Sequence, residues 1–267
     1  MRHEMISLLA GVLALFGMSG CLEIDQVINL KKDGSGTITE ELVMGPTVVK
    51  MLEGLPAGAD ADNPIADIYD VGKYRKLAAN YGEGVKFSRM EKIERHGGKG
   101  VKVTYLFEDI NKVKFAPGST LNDLNEDEGH ELKDEPLSFE YAGGVLTVKV
   151  PNLAKGEGAG EGEVAKVADA AMEAMMARMF KGMKLSARLI VEPGIQESDA
   201  SYLDGKTITF LNLNFDQILQ NPNGLKALNI LDGATRAELK EALKGVKGAK
   251  IETREKIRVK VGSQVIP

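Results

Sequence analysis

Residues 21–44 read CLEIDQVINLKKDGSGTITEELVM. Leu22, Ile24, Ile28 and Leu30 fall on one parity, Lys31 to Gly36 supplies Asp-Gly-Ser-Gly, and Ile38, Leu42 and Met44 share a parity again. Period-two alternation gives an extended strand one apolar face, and Asp, Gly and Ser supply turn conformations. The stretch therefore predicts a β-hairpin with one buried face. The same Asp33–Gly36 run lacks the spaced carboxylates and closing Glu of an EF-hand, and the Gly-Lys-Ser/Thr of a phosphate loop. A hairpin turn explains it.

Further along the chain, Val101, Val103, Tyr105 and Phe107 alternate after a Gly-rich turn and pair with the 85–94 segment. Leu137–Tyr141 and Val145–Val150 flank Ala142-Gly143-Gly144 as another hairpin. Between the first two hairpins, Pro46–Leu55 and Ile65–Tyr81 predict helices, with Pro46 suited to a first turn. Residues 155–163 (KGEGAGEGE) mix four glycines with charge and predict a flexible connection, after which Val164–Met183 has strong helix propensity. Strands follow at Leu185–Val191 and Thr207–Leu213, short helices around Gly224–Leu231 and Thr235–Lys244, and a last strand at Ile251–Val261.

The fold class expected is α+β: antiparallel hairpins covered by helices, without the alternating strand–helix series of a doubly wound sheet. The division is a signal peptide over 1–20, a β-rich α+β region over 21–153, a Gly/Glu-rich linker over 154–163 and a C-terminal α+β region over 164–267. The last region is either separate or part of one domain with 21–153.

Upstream of the hairpin, Met5–Met18 (MISLLAGVLALFGM) is uncharged, follows Arg2 and the α-amino group, and ends in the small residues Ser19 and Gly20. That is the layout of a secretory signal peptide. Its apolar run of about 14 residues is short of the ~20 that a membrane-crossing helix needs. Met18-Ser19-Gly20-Cys21 resembles the lipobox of bacterial lipoproteins, with Met18 where Leu is usual and Glu4 weakening the positive flank. The resemblance implies cleavage between Gly20 and Cys21 and acylation (palmitate among the chains) of the Cys21 thiol. Several acyl chains at about 0.8 kcal/mol per buried methylene fix a protein to a membrane durably. The plainer readings are a chance cysteine behind an ordinary signal peptide, or a retained helix. By resemblance to the enterobacterial lipoprotein sorting rule, Leu22 rather than Asp after the cysteine implies the outer membrane, with the domain exposed to the periplasm.

Composition removes several functions. The chain has 267 residues, 43% hydrophobic and 27% charged, with a net charge of −5, so no global positive field attracts nucleic acid. Cys21 is the single cysteine, which rules out an intramolecular disulfide and a cysteine-based zinc site. Trp is absent and aromatics make up 5%, which argues against stacking platforms for bases or sugars. No Gly-x-Ser-x-Gly elbow occurs, and His3, His96 and His130 are isolated. No enzyme activity, metal or cofactor is expected.

Three clusters remain. Asn122–Glu135 carries seven carboxylates against Lys133 and reads as a solvated acidic loop before it reads as a calcium site. Met172, Met175, Met176, Met179 and Met183 lie at helical spacings; the stripe suits either a helix packed on its own sheet, the favoured reading, or the lining of an apolar-ligand groove. Arg254, Lys256, Arg258 and Lys260 alternate with Ile257, Val259 and Val261, so one face of the last strand is a row of cations. The row either protects a sheet edge, the favoured reading, or meets anionic lipid headgroups.

CLEIDQVINLKKDGSGTITEEL (21–42), FEDINKVKF (107–115) and VEPGIQESDASYLDGKTITF (191–210) together resemble bacterial lipoproteins of the LppM-like kind. The resemblance implies an envelope protein with an α+β domain and a lipid-associated role, and it brings no catalytic residues. The function expected is a membrane-anchored envelope lipoprotein that binds a lipid or other apolar ligand. The alternative is a docking module for other envelope proteins. Partners expected are the membrane through Cys21 and a lipid or an envelope protein, with no nucleic acid.

Overall fold

The computed structural model describes residues 22–54, 64–95, 97–119, 135–153, 180–221, 223–224, 227–228 and 234–262. The expected signal peptide, Cys21, the 154–163 linker, residues 164–179, the three histidines and nearly all of the acidic loop lie outside them.

The quoted stretch forms strands β1 (Leu22–Leu30) and β2 (Gly36–Met44), paired antiparallel from Leu22↔Met44 to Leu30↔Gly36. Asp33 closes the turn: its Oδ1 accepts from the Ser35 N–H at 3.0 Å and the Ser35 hydroxyl at 2.7 Å. Those two bonds, the side-chain one first, hold the Asp33 carboxyl below the usual carboxylate range. Ile24, Ile28, Leu30, Ile38 and Leu42 are buried as the alternation requires. Each strand has one polar residue on this buried parity, and the register sets the two opposite each other as Gln26↔Glu40. Gln26 Nε2 donates to Glu40 Oε1 at 2.5 Å, and Gln26 Oε1 accepts from the Gly118 N–H at 2.8 Å. Two interruptions of the apolar pattern thus satisfy each other inside the core.

The remaining elements are β3 (Lys86–Arg95), β4 (Gly98–Phe107), β5 (Lys114–Phe115), β6 (Leu137–Ala142), β7 (Val145–Lys149), β8 (Lys184–Val191), β9 (Ile195–Ser198), β10 (Leu203–Asp204), β11 (Thr207–Asn214), β12 (Ala249–Ile251) and β13 (Lys256–Val261). Helices α1 (Pro46–Glu53), α2 (Pro64–Asp67), α3 (Val71–Leu77), α4 (Phe215–Leu219) and α5 (Arg236–Ala242) are short. The class is α+β but mostly β. An eight-stranded sheet runs β10-β11-β8-β1-β2-β4-β3 with β12 beside β11, and a five-stranded sheet runs β5-β6-β7-β13-β9. Buried side chains of both sheets form one hydrophobic cluster. Tyr81 joins them, its ring 4.9 Å from Tyr105 on β4 and 6.3 Å from Phe115 on β5.

Strands from both sides of residues 154–163 share both sheets. β8 lies parallel to β1, and β13 pairs antiparallel with β7. The 142–145 hairpin has Gly143 and Gly144 at φ 57° and 77°, the left-handed pair that a two-residue hairpin turn demands. Thr235 caps α5 with a full capping box, and its N–H and hydroxyl bonds hold the Glu238 carboxyl below its ordinary range.

Two expectations are corrected. The single helix over 65–81 is broken into α2, α3 and a 3₁₀ turn at Ala78–Tyr81, because Asp70 caps a fresh start by accepting from the Gly72 N–H at 2.7 Å. The single strand over 251–261 is two strands in different sheets, β12 in the large and β13 in the small. Glu252, 1% exposed, sits at the crossing. Its carboxylate accepts from the Ser201 N–H at 2.8 Å, the Ser201 hydroxyl at 2.7 Å and the Arg254 N–H at 2.9 Å. Arg236 clamps the same crossing by donating to the carbonyls of Thr253, Arg254 and Val150.

Glu252→Ala removes the one buried acceptor that three part-buried donors share, so stability should fall by about 2 kcal/mol in urea denaturation, and Glu252→Gln, which keeps an acceptor, by less. A loss below roughly 0.5 kcal/mol would show that the crossing does not depend on this carboxylate.

Candidate basic face of the small sheet

Each cation of the last strand can now be placed. Lys256, Arg258 and Lys260 point outward from β13 while Ile257 and Val259 are fully buried beneath them. Arg254 is exposed in the crossing just before the strand. β13 is not an edge: it lies between β7 and β9. Protection of a sheet edge therefore does not account for the row, and that expectation is corrected by the strand order.

The register adds two lysines. Lys256 is directly opposite Lys149 on β7, Lys149 is opposite Ser138 on β6, and Ser138 is opposite Lys114 on β5. Residues paired this way share a face, so Lys114, Lys149 and Lys256 line up across four strands. Arg258 continues the face through Thr147 to Glu140, and Lys260 through Val145 to Ala142. Lys114, Lys149, Lys256, Arg258 and Lys260 are all exposed, and none lies within ion-pair distance of a described carboxylate. Carboxylates stand beside the row: Glu197 is opposite Lys260, Asp199 Oδ1 accepts from the Arg258 N–H at 2.7 Å, and Glu140 lies across Thr147 from Arg258.

The outer face of the large sheet is built differently. There Lys184 and Arg95 meet Glu23 at 2.8 and 3.4 Å, Lys102 meets Glu41 at 2.8 Å, and Arg188 meets Asp25 at 2.6 Å. The cations Lys184, Lys102 and Arg188 are thus paired with a carboxylate one strand away, and Arg95 reaches Glu23 from the edge strand at the same end of the sheet. Those on the small sheet carry a positive field on a chain whose net charge is negative.

A shallow depression of about 270 Å³ opens on this face, lined by Glu140, Ala142, Val145, Thr147, Lys256 and Arg258. Its lining is mixed: Lys256 and Arg258 are cationic, Glu140 is a carboxylate, and Ala142, Val145 and the Thr147 methyl supply the apolar part. Such a site suits an anion that carries a hydrocarbon portion, with the charge at Lys256 and Arg258 and alkyl contact beside them. Among the described residues no group of three His, Cys, Asp or Glu is placed to hold a metal ion.

Of the methionine stripe, Met183 is described: it is half-buried against the core, and its carbonyl accepts from the Phe215 N–H at 3.1 Å. Phe180 stacks on Phe215 with ring centroids 5.0 Å apart. Met172, Met175, Met176 and Met179 lie outside the described residues. Lys114 and Lys149 escape a reading of the sequence because each is a lone lysine in its own strand; only the pairing of β5, β6, β7 and β13 brings them together.

No protein-family model matches this chain, and no curated protein matches it. A solved structure with some similarity is the NMR structure of the folded domain of LppM from Mycobacterium tuberculosis. It is 10% identical, covers 74% of this chain and 84% of that one, and has a TM-score of 0.31. So loose a match transfers no residue and no role.

Opposed like charges on neighbouring strands cost stability, by roughly 0.2–1 kcal/mol per pair. Lys149→Thr removes the Lys149–Lys256 opposition, so it should raise the denaturation midpoint slightly. A variant that lowers the midpoint instead would mean that Lys149 has a structural role in the fold.

Proposed function

We propose that this chain is a bacterial envelope lipoprotein anchored through Cys21. Its domain is not an enzyme but binds an anionic amphiphile, a phosphate-bearing headgroup with its adjoining alkyl segment, on the outer face of the small sheet. The observation that carries the reading is a cation row on an interior strand whose charged groups form no ion pair with a described carboxylate. It protects no edge and borders a depression whose lining also includes Ala142, Val145 and Thr147. Lys149, Lys256 and Arg258 supply the charge, with Lys114 and Lys260 extending the field. Arginine offers a planar fork for phosphate oxygens and lysine a mobile point charge, and the two together hold a headgroup without requiring one fixed pose.

The anchor is supported by the signal-peptide layout of residues 1–20 and the position of the single cysteine. Among the described residues no helix is long and apolar enough to cross a membrane. The alternative, a docking module for an acidic envelope protein, would use the same cations. Ala142, Val145 and the Thr147 methyl beside Lys256 and Arg258 favour the amphiphile.

The test is a titration of the full chain, in neutral detergent, with dihexanoyl phosphatidylglycerol and with the matching phosphatidylcholine, followed by calorimetry. Saturable binding of the phosphatidylglycerol alone is expected, weakened at least tenfold in Lys149→Glu/Lys256→Glu and weakened by added salt, which screens exposed charge. Equal binding of both lipids, or an unaffected double variant, would sink the assignment. For the anchor, Cys21→Ser should abolish palmitate labelling and release the protein from membranes; continued membrane attachment would point to a retained helix.

A further inference from the structure

β1 opens at Leu22, the residue directly after Cys21, so no tether separates the anchoring position from the folded sheet. One extended residue spans only about 3.5 Å. A cysteine acylated there brings the Leu22 end of the large sheet down to the membrane surface.

That end is furnished for such contact. Leu22 pairs with Met44, and the chain turns at Gly45 directly into α1. α1 lies along the same end of β4: Lys99, opposite Met44, holds Glu53 at 2.7 Å. Val49 anchors the helix in the core, Val48 and Leu52 are half-buried, and Lys50 is exposed. Met51 is 45% exposed, one of three large apolar side chains so exposed among the described residues. The other two lie elsewhere: Leu106 is on β4 opposite Thr37, and Leu203 is on β10, which pairs with the start of β11 at the other end of the sheet. An apolar tip flanked by a lysine is what a helix resting in a headgroup layer presents.

The small sheet is tied to the opposite end of β1. The Tyr141 hydroxyl donates to the Lys32 carbonyl at 3.1 Å, and the Ile110 N–H donates to the Gly34 carbonyl at 2.9 Å. Both acceptors belong to the β1–β2 turn. Gly118, just after β5, reaches β1 only at its midpoint, Gln26. At about 3.4 Å per strand residue, the distance from Leu22 to Gln26 is roughly 14 Å and to Leu30 roughly 27 Å.

We propose, resting on the anchor at Cys21, that the domain stands on its Leu22 end. α1 is laid into the headgroup layer of the bilayer that holds the acyl chains, with Met51 dipping in and Lys50 at the level of the phosphates. The basic face is then held more than a Debye length, about 8–10 Å, above that bilayer. It draws its anionic ligand from the aqueous side and not from the leaflet beneath.

The test uses the full chain, whose one native thiol is consumed by acylation, so an introduced cysteine is the only free one. Met51→Cys and Thr147→Cys are each labelled with a bimane fluorophore and placed in phosphatidylethanolamine/phosphatidylglycerol vesicles containing a headgroup-level nitroxide lipid. Quenching at position 51 should exceed that at position 147 at least threefold. Both sites are accessible, and an unchanged thermal melt checks that each variant is folded. Equal quenching, or stronger quenching at 147, overturns the orientation while leaving the anchor standing, provided that Cys21 is palmitate-labelled in the same preparation. An unlabelled Cys21 with protein free of the vesicles overturns the anchor and the orientation together.

Discussion

The apolar face of β1, with β2 on one side and β8 on the other, is the surface on which the rest of the molecule is assembled. Period-two alternation commits that face to the interior, and a slip of one residue would turn every Ile and Leu of the strand outward. The Gln26–Glu40 pair tightens the constraint. In the observed register two polar groups bond to each other inside the core; a shift of two residues, which keeps parity, would set each opposite hydrocarbon. Helices α1 and α3 and the small sheet then cover what the large sheet leaves apolar, with Tyr81 wedged between Tyr105 and Phe115.

The parts of this fold that are legible in the sequence are those governed by neighbours a few residues apart. The 21–44 hairpin follows from parity and an Asx turn, the 142–145 hairpin from adjacent glycines, and α5 from Thr235 with Glu238 three residues on. The parallel pairing of β1 with β8 joins Glu23 to Lys184 and leaves no local trace. The break between β12 and β13 is equally hidden, because residues 251–261 alternate smoothly and only the burial of Glu252 marks where the chain changes sheets. The candidate site divides the same way. Its β13 cations are visible as a row in the sequence, whereas their interior position and their alignment with Lys149 and Lys114 are products of strand order.

The two outward faces show how one chain treats charge in two ways. On the large sheet Lys102, Lys184, Arg188 and Arg95 each find a carboxylate, which leaves that part of the face electrically quiet. Exposed pairs of this kind add little to stability, but they leave no field to attract a partner. On the small sheet Thr, Ser, Val and Ala stand opposite most of the cations, and the nearby carboxylates Glu140, Glu197 and Asp199 form no ion pair with them. The contrast lies in placement and not in composition, and it separates a scaffold from a surface open to anions.

The parallel pairing of β1 with β8 has a further consequence, in time and not in space. Glu23 and Lys184 are 161 residues apart, so the central strand cannot complete its second row of hydrogen bonds until two thirds of the chain has been made. Long closures of this kind slow folding. A polypeptide that leaves the ribosome with its first strand half-partnered stays extended while its N-terminus is engaged elsewhere. Under the export proposed above, the order of the strands would act as a delay.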